Sequence, residues 1–206
     1  PRPRDWPGKA MVTGYWFLDS EEGESLPPEL ETFLEKGEPP VCVGFGSMSG
    51  RNPRKTADTV VEALQIAGVR GVLLSGWGGL EPSELPDTVF QVEQAPYDLL
   101  FPRVSAVVHH GGAGTTAEGL RAGKPTVVCP FLIDQPVWGE RVHLLGAGPK
   151  PIPQKKLTPE KLAAAIMEAT SSSLIMKNAS ELGEKLREED GIARAVKIIE
   201  QVAVAG

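Results

Sequence analysis

The chain has 206 residues, more than one average domain and fewer than two, and 41% of them are hydrophobic, so we expect one large domain with a substantial core. Its 21 basic against 27 acidic residues give a formal charge of −6, which argues against a nucleic-acid partner but allows a small anionic ligand held by helix ends. No apolar run reaches the roughly 18 residues of a membrane span, and no signal peptide is visible. Cys42 and Cys129 lie in apolar runs, which predict buried, reduced thiols. We therefore expect a cytoplasmic protein.

Residues 1–39 are rich in proline and in acidic side chains, and we interpret them as an arm that resembles an interdomain linker. Within this arm, residues 12–18 predict either an edge strand or an irregular segment. Residues 26–36 (LPPELETFLEK) predict a short helix, because the first turn is acidic and Pro28 lies near its start.

From residue 40 onward, short apolar segments bounded by Gly or Pro alternate with helical periodicity. This alternation predicts a parallel sheet with helices on both faces, and we assign residues 40–206 to one Rossmann-like, doubly wound α/β domain of about six strands. Ile192, Val196 and Ile199 are expected to form the inward stripe of the last helix. The predicted strands are 41–45, 71–74, 89–92, 104–108 and 126–129, and the predicted helices are 56–67, 97–101 (one turn), 115–122, 135–145, 158–170, 180–189 and 191–204.

The most informative segment, HHGGAGTT at residues 109–116, joins a buried strand to a helix. A glycine-rich entry to a helix presents free backbone N–H groups and the positive end of the helix dipole, and both favour an anion such as a diphosphate. Alternatively, the glycines only close a tight turn. The adjacent histidines favour the binding site, and strand alternation predicts that only one of them faces a ligand. The candidate ligand-binding residues here are His110, Gly111, Gly112, Gly114, Thr115 and Thr116.

Other loops carry polar or aromatic groups to the carboxyl edge of the predicted sheet, where such folds bind ligands. Ser47 could bind a phosphate or only stabilise the turn in which it lies. Trp77 could shield or stack on a ring of the ligand, or it could be exposed or pack within the protein. Glu118 could bind both hydroxyls of a ribose or face solvent. Asp134 and Gln135 suit several hydroxyls of a sugar ring, although the favoured alternative is that Asp134 caps the helix that follows it.

Other chemical motifs fit poorly. Gly112, Gly114 and Gly119 give the spacing G-x-G-x-x-x-x-G, which departs from the dinucleotide fingerprint, so an NAD-type oxidoreductase is disfavoured. The sequence has no GxxxxGK[ST] phosphate loop, no G-x-S-x-G elbow and no His, Cys or Asp cluster with metal-ligand spacing.

The segment HHGGAGTTAEGLRAGKPTVVCPFLIDQPVWGERV, residues 109–142, resembles the donor-binding signature of inverting UDP-glycosyltransferases of the GT-B fold, above all the sterol glucosyltransferase and antibiotic glycosyltransferase group. The likeness extends over nearly the whole chain. It implies the second of two Rossmann-like domains, which binds a nucleotide sugar, expected to be UDP-glucose. The sugar would be transferred to a hydroxyl of a lipophilic acceptor such as a sterol.

The resemblance also implies that no metal or other cofactor takes part and that the catalytic base, a histidine, lies in the acceptor-binding domain. An isolated chain of this kind would then bind the donor but transfer little sugar. Its exposed interdomain face could be covered by the acceptor domain or drive self-association. The alternative is a nucleotide-binding module without catalytic activity, with a TDP-sugar or another nucleotide as ligand.

Individual roles are also implied by the resemblance. His110 would bond the β-phosphate and Glu118 the ribose, while the backbone of Ala95 would face the uracil. Relatives from plants have Trp and Gln near that point where this chain has Gln94 and Tyr97, so base stacking and UDP selectivity stay open. The remaining implied contacts are Gly112, Gly114 and Thr115 to the diphosphate, Ser47 to a phosphate, and Asp134 and Gln135 to the sugar.

Overall fold

The computed structural model describes residues 4–8, 10–46, 52–76 and 80–205, and it describes the side chains of all of these except Val204 and Ala205. The strands are β1 (Val41–Gly44), β2 (Gly71–Leu74), β3 (Val89–Val92), β4 (Ala106–His109) and β5 (Thr126–Val128). The helices are α1 (Pro28–Glu35), α2 (Pro53–Ala67), α3 (Tyr97–Leu100), α4 (Ala113–Arg121), α5 (Gln135–Leu144), α6 (Pro159–Ser171), α7 (Ser173–Arg187) and α8 (Gly191–Ala205).

All strand pairs are parallel, in the order β3-β2-β1-β4-β5, which confirms the Rossmann-like α/β fold. Five strands pair in the described part of the chain, one fewer than the expected six or so. The chain passes from β1 to β2 on one side and later returns to β4 on the other. Gly44 is therefore opposite both Leu74 and His109 in register. A doubly wound sheet forms its ligand crevice at such a reversal of strand order.

Apolar side chains on alternate strand positions build one core on each face of the sheet, because successive side chains point to opposite faces. Val41 and Val43 pack with α2 and α6, whereas Cys42 packs with α1 and α3. The strands read as continuous apolar runs because both faces are buried. As predicted, Cys42 and Cys129 are buried, and neither forms a disulfide.

Two sequence predictions about the C-terminal helices are wrong. Helix α7 begins at Ser173 and not near residue 180, because the hydroxyl of Ser172 caps it by accepting from the Ile175 N–H at 3.3 Å. The stripe expected to face inward on α8 is exposed, since Ile192 and Ile199 keep 48% and 63% of their accessible surface. Helix α8 docks instead through Gly191, where a Cβ atom would lie 2.1 Å from the Tyr15 carbonyl oxygen.

Residues 12–18 form no strand but cross the surface as an irregular segment, the second of the two predicted alternatives. Arg194 on α8 donates to the Thr13 carbonyl at 3.1 Å, and further along the chain Ser20 bonds to Asp98 on α3. The arm thus runs from α8 to α3, at the carboxyl edge of the sheet. Within the described ranges, no helix combines the length and apolar character needed to cross a membrane.

Candidate functional site

The two adjacent histidines have different surroundings. His109 is fully buried at the end of β4, and its Nδ1 accepts from the Gly111 N–H at 2.8 Å. Burial, with a contribution from His110, lowers the pKa of His109 to about 3. His109 is therefore neutral and belongs to the turn. His110 is half-buried in the crevice between β1 and β4, where a Cβ atom on Gly46 would lie 3.3 Å from its Cε1.

Burial lowers the pKa of His110 below its usual value, although the nearby Asp134 carboxylate acts in the opposite direction. The imidazole is accordingly neutral at pH 7, and it keeps one N–H for an acceptor in the crevice. His110 and Asp134, which follow different strands of the sheet, are close enough to interact electrostatically.

The three glycines of the turn have three different surroundings. Gly111 has φ +92°, and a Cβ there would lie 2.7 Å from Val128 Cγ1, so the turn itself requires glycine. A Cβ on Gly112 would lie 2.5 Å from Nε2 of His110, so this glycine makes room for the histidine. Gly114 is exposed and has no atom within 4 Å of a Cβ position. The tight-turn explanation therefore accounts for Gly111 but not for Gly114.

Helix α4 begins at this turn without a side-chain cap on its N-cap residue, Gly112. Its first-turn N–H groups therefore point toward the crevice without a capping side chain. The two threonines also differ, because Thr116 is buried and donates to the Gly112 carbonyl at 2.8 Å. Thr115, by contrast, is partly exposed on the first turn of α4. Of these two threonines, Thr115 is therefore the one whose side chain keeps accessible surface at the turn.

A cleft of about 730 Å³ opens beside this turn, at the carboxyl edge of β1 and β2. Ala95 and Tyr97 line one wall, Glu118 lines another, and Asp19 and Ser20 of the arm close it from outside. Burial raises the pKa of Glu118, and the carboxylates of Asp19 and Asp98 raise it further, while Arg121 opposes them. Glu118 thus places a largely buried carboxylate on the wall of the cleft.

Asp134 does not cap α5, so the favoured capping alternative is wrong. It occupies the N-cap position, but its Oδ2 accepts from Nε1 of Trp138 at 3.0 Å and makes no capping bond. Gln135 is buried, and its Oε1 accepts from the backbone N–H groups of Phe131 and Leu132 at 2.8 and 3.3 Å. Gln135 thus anchors the loop that presents Asp134.

Ile133, immediately before Asp134, has φ +60° and is 84% exposed. A β-branched residue in the left-handed region is strained, and such strain is concentrated at functional sites.

Ser47 and Trp77 lie outside the described residues. The remaining candidates follow β4 or β5 or line the cleft. The turn lies next to the start of α5, since a Cβ on Gly111 would be 3.0 Å from the Gln135 carbonyl oxygen. Sequence reasoning missed Arg121 and Trp138, which contact the candidate carboxylates Glu118 and Asp134. The sequence did contain a signal for these contacts: Arg121 follows Glu118 by three residues and Trp138 follows Asp134 by four, and side chains at such spacings lie on the same face of a helix.

Known proteins resemble this chain over most of its length. The model of the erythromycin biosynthesis protein CIII-like (EryCIII-like) C-terminal domain matches residues 78–201, more than half of the chain. The chain is 45% identical over 198 residues to the sterol 3-beta-glucosyltransferase UGT80A2 of Arabidopsis thaliana, covering 96% of this chain and 31% of that protein. It is 40% identical over 204 residues to the O-mycaminosyltylonolide 6-deoxyallosyltransferase of Streptomyces fradiae, covering 98% of this chain and 47% of that one.

Among solved structures, the glycotransferase of kitacinnamycin superposes with a TM-score of 0.69 at 32% identity, covering 80% of this chain and 43% of the other. The chain therefore spans about a third to a half of the length of these relatives.

Proposed function

The chain belongs to the family of EryCIII-like C-terminal domains of GT-B glycosyltransferases, and we propose that it binds the nucleotide sugar of the transfer reaction, with UDP-glucose as the expected donor. The observation that carries this proposal is the uncapped start of α4 at the strand-order reversal, with open space above Gly114 and the half-buried His110 beside it. These features supply backbone donors, a favourable dipole and room for an anion at one point.

The donor would extend in two directions from this turn. In the cleft, the Glu118 carboxylate would accept hydrogen bonds from the ribose hydroxyls, and the backbone at Ala95 would face the base. On the other side, Asp134 would accept from the sugar hydroxyls, at the end of the loop anchored by Gln135.

The reaction proposed is a single displacement at the anomeric carbon. An acceptor hydroxyl oxygen attacks this carbon, and the bond to the diphosphate oxygen breaks with inversion. The electron pair leaves with the diphosphate, and the hydroxyl proton passes to a base in the acceptor domain. In this chain, the neutral His110 N–H and the α4 amides would stabilise the charge that develops on the diphosphate.

Calorimetric titration with UDP, TDP and UDP-glucose tests donor binding. We expect micromolar-range binding of UDP, weakened about tenfold to a hundredfold by His110→Ala, since a hydrogen bond to a charged group is lost. Gly114→Ala should weaken binding comparably without lowering stability, because its methyl group would enter only the ligand space. The controls are His143→Ala, an exposed histidine on α5, and Gly8→Ala, where a Cβ also meets nothing within 4 Å. If the unchanged chain binds no nucleotide, the proposal is wrong.

The acceptor domain is the proposed partner for transfer. Exposed apolar side chains on α5 and the loop before it, Leu132, Ile133, Val137 and Leu144, form a surface suited to an interdomain contact or to self-association. The acceptor proposed is a lipophilic alcohol such as a sterol, since UGT80A2 is named for sterol glucosylation. The 206-residue chain alone should transfer little sugar, and robust transfer by it would contradict a base in the acceptor domain.

A further inference from the structure

Two side chains stand between the arm and the candidate ligand-binding carboxylates. The first is Trp138 on α5. Its indole Nε1 donates to Asp134 Oδ2 at 3.0 Å, and its ring packs against Tyr15 of the arm with a centroid separation of 6.1 Å. The indole is therefore held on one side by the arm, while its only N–H orients the carboxylate proposed to bind the sugar.

The second is Arg121 at the end of α4, with a side chain that is only 16% exposed. Its Nη2 pairs with Asp19 of the arm, its Nε lies 3.3 Å from Glu118 Oε2, and its guanidinium stacks 4.2 Å from the ring centre of Phe17. Asp19, Phe17 and Glu118 therefore all contact the same guanidinium group.

The arm is fixed at the cleft by a separate contact. Ser20 donates to Asp98 through both its backbone N–H, at 2.9 Å, and its hydroxyl, at 2.7 Å. Although burial acts to raise the pKa of Asp98, these bonds hold it below its usual value. Leu18, Asp19 and Ser20 line the cleft itself, so the arm is a wall of the cleft as well as a connection along the chain.

We infer that arm residues 15–20 position both ligand-binding carboxylates, Glu118 through Arg121 and Asp134 through Trp138. This inference rests on the proposed function. Arg121 and Trp138 are positioning residues: the first sets the recognition of the ribose and the second sets the recognition of the sugar. Because one segment holds both, displacement of the arm alters the two ends of the donor site together.

The test measures two affinity ratios by calorimetry on the full chain. The ribose ratio is the Kd of 2′-deoxy-UDP divided by that of UDP, and the sugar ratio is the Kd of UDP divided by that of UDP-glucose. Arg121→Gln and Asp19→Asn should each lower the ribose ratio about fivefold and leave the sugar ratio unchanged. Trp138→Phe, which keeps the ring but removes the N–H, should lower only the sugar ratio. A general loss of stability would not separate the two ratios.

The matched control is Arg103→Gln, because Arg103 pairs with Glu31 on α1 and does not line the cleft. Both ratios should stay unchanged in it. If the unchanged chain binds UDP but the ratios of the Arg121 and Trp138 variants match its own, the inference is wrong and the proposed function stands. If the unchanged chain binds neither UDP nor UDP-glucose, the proposed function is wrong and the inference falls with it.

Discussion

Replacing His109 by asparagine should make the stability of the protein less sensitive to acid. His109 is buried and neutral, and its Nδ1 accepts from the Gly111 N–H. An asparagine Oδ1 can take over that acceptor role but does not titrate. The substitution thus removes the buried ionisable group while keeping the hydrogen bond that closes the turn.

The magnitude follows from the two pKa values of His109, the usual 6.5 in the unfolded chain and about 3 in the folded one. Below pH 6.5 the unfolded state takes up a proton that the folded state does not, so the free energy of unfolding decreases as the pH falls. At pH 5, which is 1.5 units below the unfolded value, this loss is about 2 kcal/mol. It continues to grow until the pH approaches the folded value.

Urea unfolding at pH 8 and at pH 5 measures the effect. His109→Asn should be less stable at pH 8, because the smaller side chain leaves a cavity. At pH 5, the free energy of unfolding of this variant should be closer to that of the unchanged protein by about 2 kcal/mol. The control His143→Asn makes the same substitution at an exposed histidine on α5, so it separates the effect of burial from that of the residue change. If the difference between the unchanged protein and His109→Asn is the same at both pH values, His109 is not held neutral by burial.

Two further predictions concern the loops around the site. Ile133→Gly should raise the free energy of unfolding by about 1 kcal/mol, because it relieves a left-handed β-branched residue whose side chain is 84% exposed. The control Leu132→Gly, at a position without a positive φ, should lower the free energy of unfolding. Equal effects of the two substitutions in urea unfolding would contradict the claim that Ile133 is strained. The preference for UDP over 2′-deoxy-UDP should decline on acidification at a pH above the range of an ordinary glutamate, because burial raises the pKa of Glu118 and protonation removes the acceptor. Calorimetry at a series of pH values measures this preference. In Glu118→Gln, the preference for UDP over 2′-deoxy-UDP should be low at every pH. An undiminished preference in that variant would exclude Glu118 as the ribose acceptor.

Much of the fold could be predicted because its signals are local. The sequence predicts strand β2 at its observed bounds, because a short apolar run between a turn and a glycine-containing loop is typical of a strand buried on both faces of a parallel sheet. Helix α6 was predicted within one residue, because Thr158 caps it by accepting from the Lys161 N–H and Pro159 occupies its first turn. The start of α7 was missed because a capping serine, Ser172, directly follows α6 and offered no loop to mark the break.

The candidate site was only partly predictable, because its geometry depends on residues far apart in sequence. The segment 109–116 predicted the glycine-rich start of a helix, but not which histidine belongs to the turn. That depends on the hydrogen bond to Gly111 and on the space between Gly46 and Gly112. Arg121 reaches Asp19 across 102 residues of sequence, and no local pattern encodes such a contact.

The sequence by itself determined the alternation of strands and helices, the glycine-rich entry to α4 and the family resemblance, because each of these depends on residues that are close together in the sequence. Only the tertiary structure decided which hydrogen bonds Asp134 and Gln135 make and which face of α8 is exposed. An amphipathic helix has an apolar side in sequence, but which side is buried depends on what packs against it. Here Gly191 allows α8 to approach the arm closely and Ala195 is buried, while the larger apolar side chains Ile192, Val196 and Ile199 face outward.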